Sequence, residues 1–378
     1  MKADKIISFS ESMKLYDRAI KVIPTASQTF SKSRIQFPAG LTPDLLSHGK
    51  GGRCWDVDGN EYVDLLMGLL ANVLGYCDPD ITLAMQKQME RGISFSLATP
   101  LEMEVAERLC DIIPCAEMVR FGKNGTDATS AAVRVSRAAT GRDHIIALGY
   151  HGWQDWYVGA TVRNKGVPDG IGKLTWKVPY NDLKAVKETY EAVNGDVACI
   201  ILEPMASVEP EEGYLEGLRD FTRETGTILV FDETITGFRF ALGGAQQLFG
   251  VTPDLCVLGK GMANGMPLSA IVGRRDLMVE FEEIFFSGTF GGEALSLAAA
   301  KAVIDKYRRE PIIESLWNKG ASLRQDLTEV IIKHGLEDVI KLAGKDPWMV
   351  PVYTATRKTS MEEIKTFVIT RMITGGVL

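Results

Sequence analysis

The sequence predicts an α/β protein with a mostly parallel sheet flanked by helices, joined to a smaller α+β lobe. Between about residue 100 and residue 305, helical periodicity alternates with short apolar runs that end at Gly, Asp or Pro, as in parallel sheets. These runs are short and rich in β-branched residues, which favours strands over buried helices. With 378 residues and 46% hydrophobic content, the chain can bury a large core and form more than one lobe.

Six apolar runs are the predicted strands of the sheet. They span residues 118–121, 144–148, 197–202, 227–231, 255–258 and 269–272. Parallel strands deliver their carboxyl ends to one edge of a sheet, where the ligands of open α/β sheets bind.

The rest of the chain is assigned to lobes around this sheet. Residues 1–65 form an N-terminal arm and part of the small lobe, 66–305 the large domain, and 306–378 the C-terminal small lobe. In the arm, Asp58-Gly59-Asn60 between apolar residues predicts a hairpin turn. The chain stops at Leu378, where a strand is beginning after a predicted helix over 362–373, so we expect the small lobe to be incomplete at its C-terminus.

The composition of the chain indicates which binding partners and which cellular compartment to expect. The net charge of -7 and the dispersed Lys and Arg residues leave no basic stripe for a nucleic-acid backbone. The six cysteines contain no C-x-x-C pair, which suits reduced thiols in the cytoplasm. The N-terminal stretch lacks the apolar core of a signal peptide, and the apolar run 65–74 is too short to span a bilayer. We expect a cytoplasmic protein that binds neither nucleic acid nor membrane.

A glycine turn at 122–127, GKNGTD, follows the first predicted strand and opens a helix. The backbone N–H groups at such a helix start, together with the Thr126 hydroxyl, can bind a phosphate. Taken alone this is weak evidence, because a glycine turn before a helix is more often only a cap.

A second element delivers an acid at a strand end, where Asp232-Glu233 follows the apolar run 228–231. Such a strand resembles the Mg²⁺-binding strand of P-loop NTPases. That interpretation requires a G-x-x-x-x-G-K-[ST] loop, and no Gly-Lys pair in the sequence fits it. The NTPase class is therefore excluded.

A third element is Lys260, which lies between two glycines after the run 255–258. A single lysine is usually a solvated surface charge, but an apolar strand and a close-packed turn would bring this amine inward. There desolvation lowers its pKa and frees a nucleophile. A dinucleotide fingerprint is excluded, since Asn264 stands where its last glycine is required.

These three elements together require a cofactor with a phosphate, a ring nitrogen that seeks an anionic partner, and an aldehyde that reacts with an amine. Pyridoxal 5'-phosphate has all three. We expect Asp232 to keep its ring nitrogen protonated and Lys260 to form the Schiff base.

At this point the chain resembles the class III aminotransferases of fold type I, most closely proteins similar to glutamate-1-semialdehyde 2,1-aminomutase. The segment FDETITGFR at 231–239 and the spacing from it to Lys260 match that family, and the likeness covers nearly the whole chain. The resemblance implies a seven-stranded, mostly parallel sheet and pyridoxal 5'-phosphate as the cofactor.

The resemblance also implies the site residues. Lys260 is the catalytic residue, and the cofactor contacts fall on Asn124, Gly125, Thr126, Tyr150, Asp232, Thr234, Lys260 and Thr289. Tyr150 would stack on the ring, for which an aromatic face is suited. Thr289 matches a residue that reaches the phosphate from the neighbouring subunit, which implies a homodimer with shared active sites. Glu203 matches a position near the cofactor, and no metal is expected.

The chain departs from the family in two places. Thr234 stands where the family usually has an apolar β-branched residue beneath the ring. The segment 27–34 does not reproduce the aminomutase stretch that binds the substrate carboxylate through an arginine, although Lys32 or Arg34 is a candidate substitute. His151 we interpret as a satisfied turn residue.

The predicted function is pyridoxal phosphate-dependent amino-group transfer through Lys260, by a transaminase or an intramolecular aminomutase. The expected partners are a small-molecule amino donor and a small aldehyde, keto acid or keto-sugar. Two alternatives stay open from the sequence. A racemase or epimerase uses the same lysine and cofactor, and a truncated chain would bind the cofactor without turnover.

Overall fold

The computed structural model describes residues 7–378, which divide into two compact units. The larger unit comprises Asp80–Arg324 and Ala343–Val350. The smaller unit comprises residues 7–79, together with Gln325–Leu342 and Pro351–Leu378. Within residues 7–378, no helix has both the length and the apolar character needed to cross a bilayer.

The elements follow in chain order. The strands are β1 (Leu46–Lys50), β2 (Arg53–Asp56), β3 (Glu61–Val63), β4 (Met118–Gly122), β5 (His144–Leu148), β6 (Thr175–Lys177), β7 (Val197–Leu202), β8 (Ile228–Glu233), β9 (Leu255–Leu258), β10 (Ser269–Gly273), β11 (Ile340–Ala343) and β12 (Val350–Tyr353). The helices are α1 (Ser10–Ala19), α2 (Met67–Leu70), α3 (Pro79–Met89), α4 (Pro100–Ile112), α5 (Gly125–Thr140), α6 (Asp155–Val158), α7 (Asp169–Gly172), α8 (Leu183–Ala192), α9 (Tyr214–Thr225), α10 (Gly244–Phe249), α11 (Arg275–Met278), α12 (Ala294–Arg309), α13 (Ile312–Lys333) and α14 (Met361–Thr374).

The larger unit is built on a seven-stranded sheet with the order β4-β10-β9-β8-β7-β5-β6. The pairs from β9 through β8, β7 and β5 to β6 are parallel, and β10 runs antiparallel to both of its neighbours. The predicted mostly parallel seven-stranded sheet is thus confirmed, and all six predicted strands lie in it. The sequence did not reveal β6, since three residues are too short to establish a pattern.

The sheet is buried on both faces because successive side chains of a strand point to opposite sides. In β5, Ile145 and Ala147 belong to the apolar cluster that contains the small residues of α5, whereas Ile146 and Leu148 belong to the cluster that contains apolar residues of α9. The same alternation holds in β7, where Ile201 joins the first cluster. Two apolar cores therefore hold the central strands, and a rigid sheet edge results.

The carboxyl ends of the parallel strands meet at that edge. β5 is followed by a turn at 149–152, β7 by Glu203, and β9 by Gly259 and Lys260, while β8 carries Asp232 near its own end. β4 runs in the same direction and leads into α5. The fold thus brings the chemistry-bearing residues of the large unit together.

The smaller unit contains the antiparallel sheet β1-β2-β3 and the two-stranded sheet β11-β12. The predicted hairpin at Asp58-Gly59-Asn60 is confirmed, since it joins β2 to β3. Asp56 fixes this turn, because its Oδ1 accepts hydrogen bonds from the backbone N–H groups of Asp58 at 3.0 Å and Asn60 at 2.8 Å.

Candidate active site

The N-terminus of α5 is one wall of the candidate site. Asn124 is its N-cap, and Asp127 accepts a 2.8 Å hydrogen bond from the Asn124 N–H. The N–H groups of Gly125 and Thr126 lie in the first turn, where a helix has no acceptors of its own for them. Among the described residues, the buried Thr126 hydroxyl has no hydrogen-bond partner. Two backbone donors, a hydroxyl and the helix dipole therefore form a site for an anion.

A second wall is the turn 149–152 after β5, which is packed directly onto that helix start. Gly152 has a φ of +103°, and a Cβ there would lie 2.4 Å from the Thr126 hydroxyl oxygen. Thr129 Oγ1 donates a 2.9 Å hydrogen bond to the carbonyl oxygen of His151. The turn presents Tyr150, which is 64% exposed and contacts the edge of Tyr157 at a ring distance of 5.7 Å. An aromatic face is therefore available next to the anion site.

Asp232 lies buried at the end of β8 with three hydrogen-bond donors around it. Nδ1 of His151 is 2.9 Å from Oδ2, while the hydroxyl and backbone N–H of Thr234 donate to Oδ1 at 2.6 and 3.2 Å. Burial by itself would raise the pKa of Asp232, but the hydrogen bonds from His151 and Thr234 outweigh it and hold that pKa below its ordinary value. Asp232 is therefore a stable buried anion.

His151 lies in the turn 149–152 with a partner for each ring nitrogen, as expected for a satisfied turn residue, but the sequence did not indicate that one of these partners is Asp232. Its Nε2 lies 3.1 Å from the carbonyl oxygen of Leu148, which can only accept a hydrogen bond. Its Nδ1 faces the Asp232 carboxylate, so each ring nitrogen lies within hydrogen-bond distance of an acceptor. The sequence held one signal, the position of His151 next to Tyr150 at a strand end. Its partner lies 81 residues further along the chain.

Lys260 opens a short 3₁₀ turn, Lys260–Ala263, directly after β9 and Gly259. Its φ of +42° is uncommon for a residue with a side chain, and such backbone strain is often found at active sites. Burial lowers the pKa of its amine, against the opposing effect of the charges on Asp232 and Glu203. The arrangement therefore favours a neutral, nucleophilic amine in the same place as the buried acid.

Glu203 is a second carboxyl group at this edge, one strand away from Asp232. The backbone N–H of Tyr150 is its donor, at 3.4 Å. Burial raises the pKa of Glu203 to about 7, and the charge of Asp232 adds to the rise. Two neighbouring carboxyl groups thus have pKa values that are shifted in opposite directions.

The structure places the residues expected from the sequence in three locations. Asn124, Gly125, Thr126, Tyr150, Glu203, Asp232, Thr234 and Lys260 lie at the carboxyl edge of the large sheet. Thr289 lies in an exposed loop of the same unit, between Glu282 and α12. Lys32 and Arg34 belong to the smaller unit, where Arg34 pairs with Asp44 through Nε at 2.6 Å and Nη2 at 2.8 Å.

The residues at the sheet edge fit pyridoxal 5'-phosphate. The unpartnered Thr126 hydroxyl and the start of α5 suit its phosphate, and the buried Asp232 suits a protonated ring nitrogen. The exposed face of Tyr150 suits a flat ring, and Lys260 supplies an amine for the aldehyde.

Known proteins match the chain along most of its length. The family model described as Aminotransferase class-III matches residues 39–350. A glutamate-1-semialdehyde 2,1-aminomutase of Aquifex aeolicus is 34% identical over an alignment of 390 positions. The alignment covers 97% of this chain and 91% of the relative. A 3-aminobutyryl-CoA aminotransferase of Cloacimonas acidaminovorans is 37% identical over 351 residues, which cover 91% of this chain and 83% of the relative.

The fold also matches a solved structure with the cofactor bound. The FumI protein of a Sphingopyxis species, in its pyridoxal phosphate internal aldimine form, matches with a TM-score of 0.86. The two are 26% identical in sequence, and the match covers 97% of this chain and 96% of that one.

Proposed function

Because the chain belongs to the class III aminotransferases, which makes it a pyridoxal 5'-phosphate-dependent enzyme, we propose that it transfers an amino group through Lys260. The reaction is a transamination or an intramolecular amino transfer, with a small aldehyde, keto acid or keto-sugar as acceptor. One observation carries the proposal, namely that a half-buried lysine of strained backbone and lowered pKa shares a sheet edge with the anionic Asp232.

Lys260 has two tasks in this proposal. When bound, pyridoxal 5'-phosphate supplies an aldehyde for the amine and a ring that takes up the electrons left behind by a departing proton. Nζ of Lys260 would hold the aldehyde carbon covalently, with loss of water, until a substrate amine takes its place. The freed Nζ acts as the base that takes the proton from the substrate carbon and returns it one position away. Its lowered pKa suits both tasks, since each needs the neutral amine.

The other residues hold and tune the cofactor. Asp232 keeps the ring nitrogen protonated, and His151 keeps Asp232 ionised by its hydrogen bond. Gly125 and Thr126 bind the phosphate, next to the Asn124 cap, and Tyr150 covers the ring. These roles use donors and acceptors that contacts within the protein already orient, which lowers the cost of binding.

We assign Glu203 to the substrate side. With a pKa of about 7, its carboxyl group can hold or release a proton at neutral pH, as a general acid or base must. Both sequence relatives carry names in which the moving amino group is not adjacent to a carboxylate. The proposed acceptors are therefore small aldehydes, keto-sugars, and keto acids whose carboxylate lies away from the carbonyl.

A second copy of the chain completes the proposed enzyme. Thr289 lies between Phe285, which is 81% exposed, and Phe290, which is 58% exposed. The neighbouring segment presents Phe95 at 52% and Leu97 at 84% exposure, and we call these four side chains the apolar patch. The two segments touch, since the N–H of Ala294 donates a 2.8 Å hydrogen bond to the carbonyl oxygen of Ile93. An exposed apolar surface of this kind favours burial against a partner. In the proposed homodimer, Thr289 reaches the phosphate of the partner subunit.

The proposal is tested by trapping the covalent bond to the cofactor. Purified protein incubated with pyridoxal 5'-phosphate and reduced with borohydride should carry the cofactor mass on the peptide that contains Lys260. Lys260→Ala should lose the adduct and the half-reaction with every amino donor. Lys184→Ala is the matched control, because that side chain is 85% exposed on α8. An unchanged adduct in Lys260→Ala, or an adduct on another lysine, overturns the proposal.

A further inference from the structure

The hydroxyl group of Thr234 is bonded to the carboxylate that faces the cofactor ring. Thr234 Oγ1 donates to Asp232 Oδ1 at 2.6 Å, and the backbone N–H of the same residue donates to the same oxygen at 3.2 Å. An apolar β-branched residue at this position would keep the N–H but not the hydroxyl. The second hydrogen bond to Oδ1 therefore comes from the side chain of Thr234 and not from its backbone.

The hydroxyl has little freedom to point elsewhere. A Cβ at Gly125 would lie 3.1 Å from Cγ2 and 3.2 Å from Oγ1 of Thr234, and a Cβ at Gly259 would lie 3.2 Å from the same Cγ2. Thr234 is thus wedged between the phosphate-binding helix start and the segment that leads to Lys260. Its methyl group fills the space, and its hydroxyl is directed at Asp232.

The number of hydrogen bonds that the Asp232 carboxylate can accept indicates how the Thr234 hydroxyl affects it. A carboxylate has about four lone-pair sites. The hydroxyl and N–H of Thr234 occupy both on Oδ1, and His151 occupies one on Oδ2. One acceptor site remains for a ring nitrogen. Each donor already present spreads the negative charge and makes the carboxylate a weaker base toward the next proton.

We propose that Thr234 is a positioning residue that weakens Asp232 as a base toward the ring nitrogen of the cofactor. A less basic carboxylate holds the proton of that nitrogen less tightly and so limits how strongly the ring withdraws electrons. This inference rests on the proposed function, because it concerns the same site and cofactor.

The test compares two cofactors that differ only at the ring nitrogen. Apo-protein is titrated with pyridoxal 5'-phosphate and with 1-deazapyridoxal 5'-phosphate, which has a C–H group in place of the nitrogen. Thr234→Val keeps the shape and removes the hydroxyl, whereas Thr234→Ser keeps the hydroxyl. In Thr234→Val, the preference for the nitrogen-bearing compound should rise about fivefold, because the loss of one hydrogen-bond donor makes Asp232 a stronger base. Thr234→Ser should keep the wild-type preference.

The outcomes separate this inference from the proposed function. An equal change in affinity for both compounds means that the hydroxyl only packs, and an unchanged or lower preference in Thr234→Val likewise overturns the inference. A wild-type protein that binds neither compound overturns the proposed function as well. Circular dichroism of Thr234→Val and Thr234→Ser establishes that both are folded.

Discussion

Nδ1 of His151 lies 2.9 Å from Oδ2 of Asp232, and the imidazole bridges this carboxylate to the carbonyl oxygen of Leu148. Both side chains are buried, and the ring of His151 stacks near Trp156 at a ring distance of 6.4 Å. Since a buried charge is tolerated only with a partner, the two residues depend on each other. Whatever binds at Asp232 therefore meets a carboxylate whose charge and orientation are already fixed.

Replacing His151 should cost both stability and cofactor binding. In His151→Phe, Asp232 keeps only the two donors of Thr234, so its pKa rises and a buried charge loses its partner. We expect the free energy of unfolding of the apo-protein to fall by about 3 kcal/mol. The affinity for pyridoxal 5'-phosphate should fall at least about tenfold, because an Asp232 that takes up a proton cannot form the charge-assisted hydrogen bond to the ring nitrogen. Chemical denaturation and cofactor titration measure the two effects.

His48→Phe is the matched control for this substitution. His48 is exposed and stacked on Trp55 at 4.7 Å, an arrangement that a phenyl ring preserves. His48→Phe should leave the free energy of unfolding and the affinity for pyridoxal 5'-phosphate unchanged. If His151→Phe is as stable as the wild type and binds the cofactor equally well, the ion pair has no role in the site.

The sheet and its reactive edge were predictable from the sequence because both depend on local patterns. Apolar runs identify strands, and an acid or lysine directly after a run identifies the edge, as with Asp232 and Lys260. The pairing of His151 with Asp232 was not predictable, since it depends on β7 lying between β5 and β8. Strand order is a property of the assembled sheet and leaves no mark in either segment.

The effect of Thr234 was hidden for a similar reason. The sequence shows a hydroxyl in place of an apolar group, but only the backbone path after β8 turns that hydroxyl toward Asp232. The pairing of Arg34 with Asp44 likewise requires the folded small unit. Residue types at strand ends thus predict which groups are present, and tertiary structure decides which of them are already bonded.

The Thr126 hydroxyl has no hydrogen-bond partner among the described residues. Its removal should therefore affect the stability of the apo-protein and the affinity for the cofactor in different ways. A buried hydroxyl without a partner is unfavourable, so Thr126→Val should leave the stability of the apo-protein unchanged or raise it by up to about 1 kcal/mol. The same change should weaken pyridoxal 5'-phosphate binding about tenfold, because one phosphate donor is lost. Thermal unfolding without ligand and a cofactor titration test both parts.

Thr129→Val is the control, with the reverse expectation for stability. Its hydroxyl donates to the carbonyl oxygens of His151 and Thr126, so its loss should destabilise the apo-protein by about 1 kcal/mol. A Thr126→Val protein that loses stability and keeps its affinity would contradict the assignment of a phosphate site to this helix start.

Because its pKa is raised in the folded protein, Glu203 should make the free energy of unfolding depend on pH. Its pKa is about 7 in the folded protein, against an ordinary value of 4.5. The folded protein therefore binds this proton more tightly than the unfolded chain, so the contribution is fully present below pH 4.5 and is lost as the pH rises through 7. We expect Glu203→Gln to be more stable than the wild type by about 2 kcal/mol at pH 8 and nearly equal to it below pH 5.

The measurement is urea denaturation of the apo-protein across this pH range. Glu212→Gln, at an exposed position after the same strand, should follow the wild-type profile at every pH. Parallel profiles for wild type and Glu203→Gln would show that folding does not raise the pKa of Glu203.

The apolar patch predicts a homodimer that depends on Phe285. Phe285→Asp places a charge on a surface that is buried in the dimer, so the protein should sediment as a monomer. Cofactor affinity should fall with it, and Thr289→Val should show the same loss of affinity while remaining dimeric. Val330→Asp, at a residue that is 54% exposed on α13, is the control and should change neither property. A dimeric Phe285→Asp protein with wild-type affinity would exclude this surface as the interface.

Lys32 and Arg34, the two proposed substrate residues of the N-terminal segment, should respond differently to substitution. The guanidinium of Arg34 forms a bidentate ion pair with Asp44 and lies 3.4 Å from the ring centre of Tyr16. Lys32 is exposed at the end of a 3₁₀ turn. Since Arg34 is already paired with Asp44, Arg34→Gln should lower the free energy of unfolding by about 2 kcal/mol.

Lys32→Gln should leave stability unchanged and raise KM for acceptors that carry a carboxylate about tenfold, with kcat nearly constant. Steady-state kinetics with a carboxylate-bearing acceptor and with an uncharged aldehyde separate the two roles, because loss of a carboxylate contact affects only the charged acceptor. Equal KM changes for both acceptors in Lys32→Gln would exclude a substrate carboxylate as its ligand.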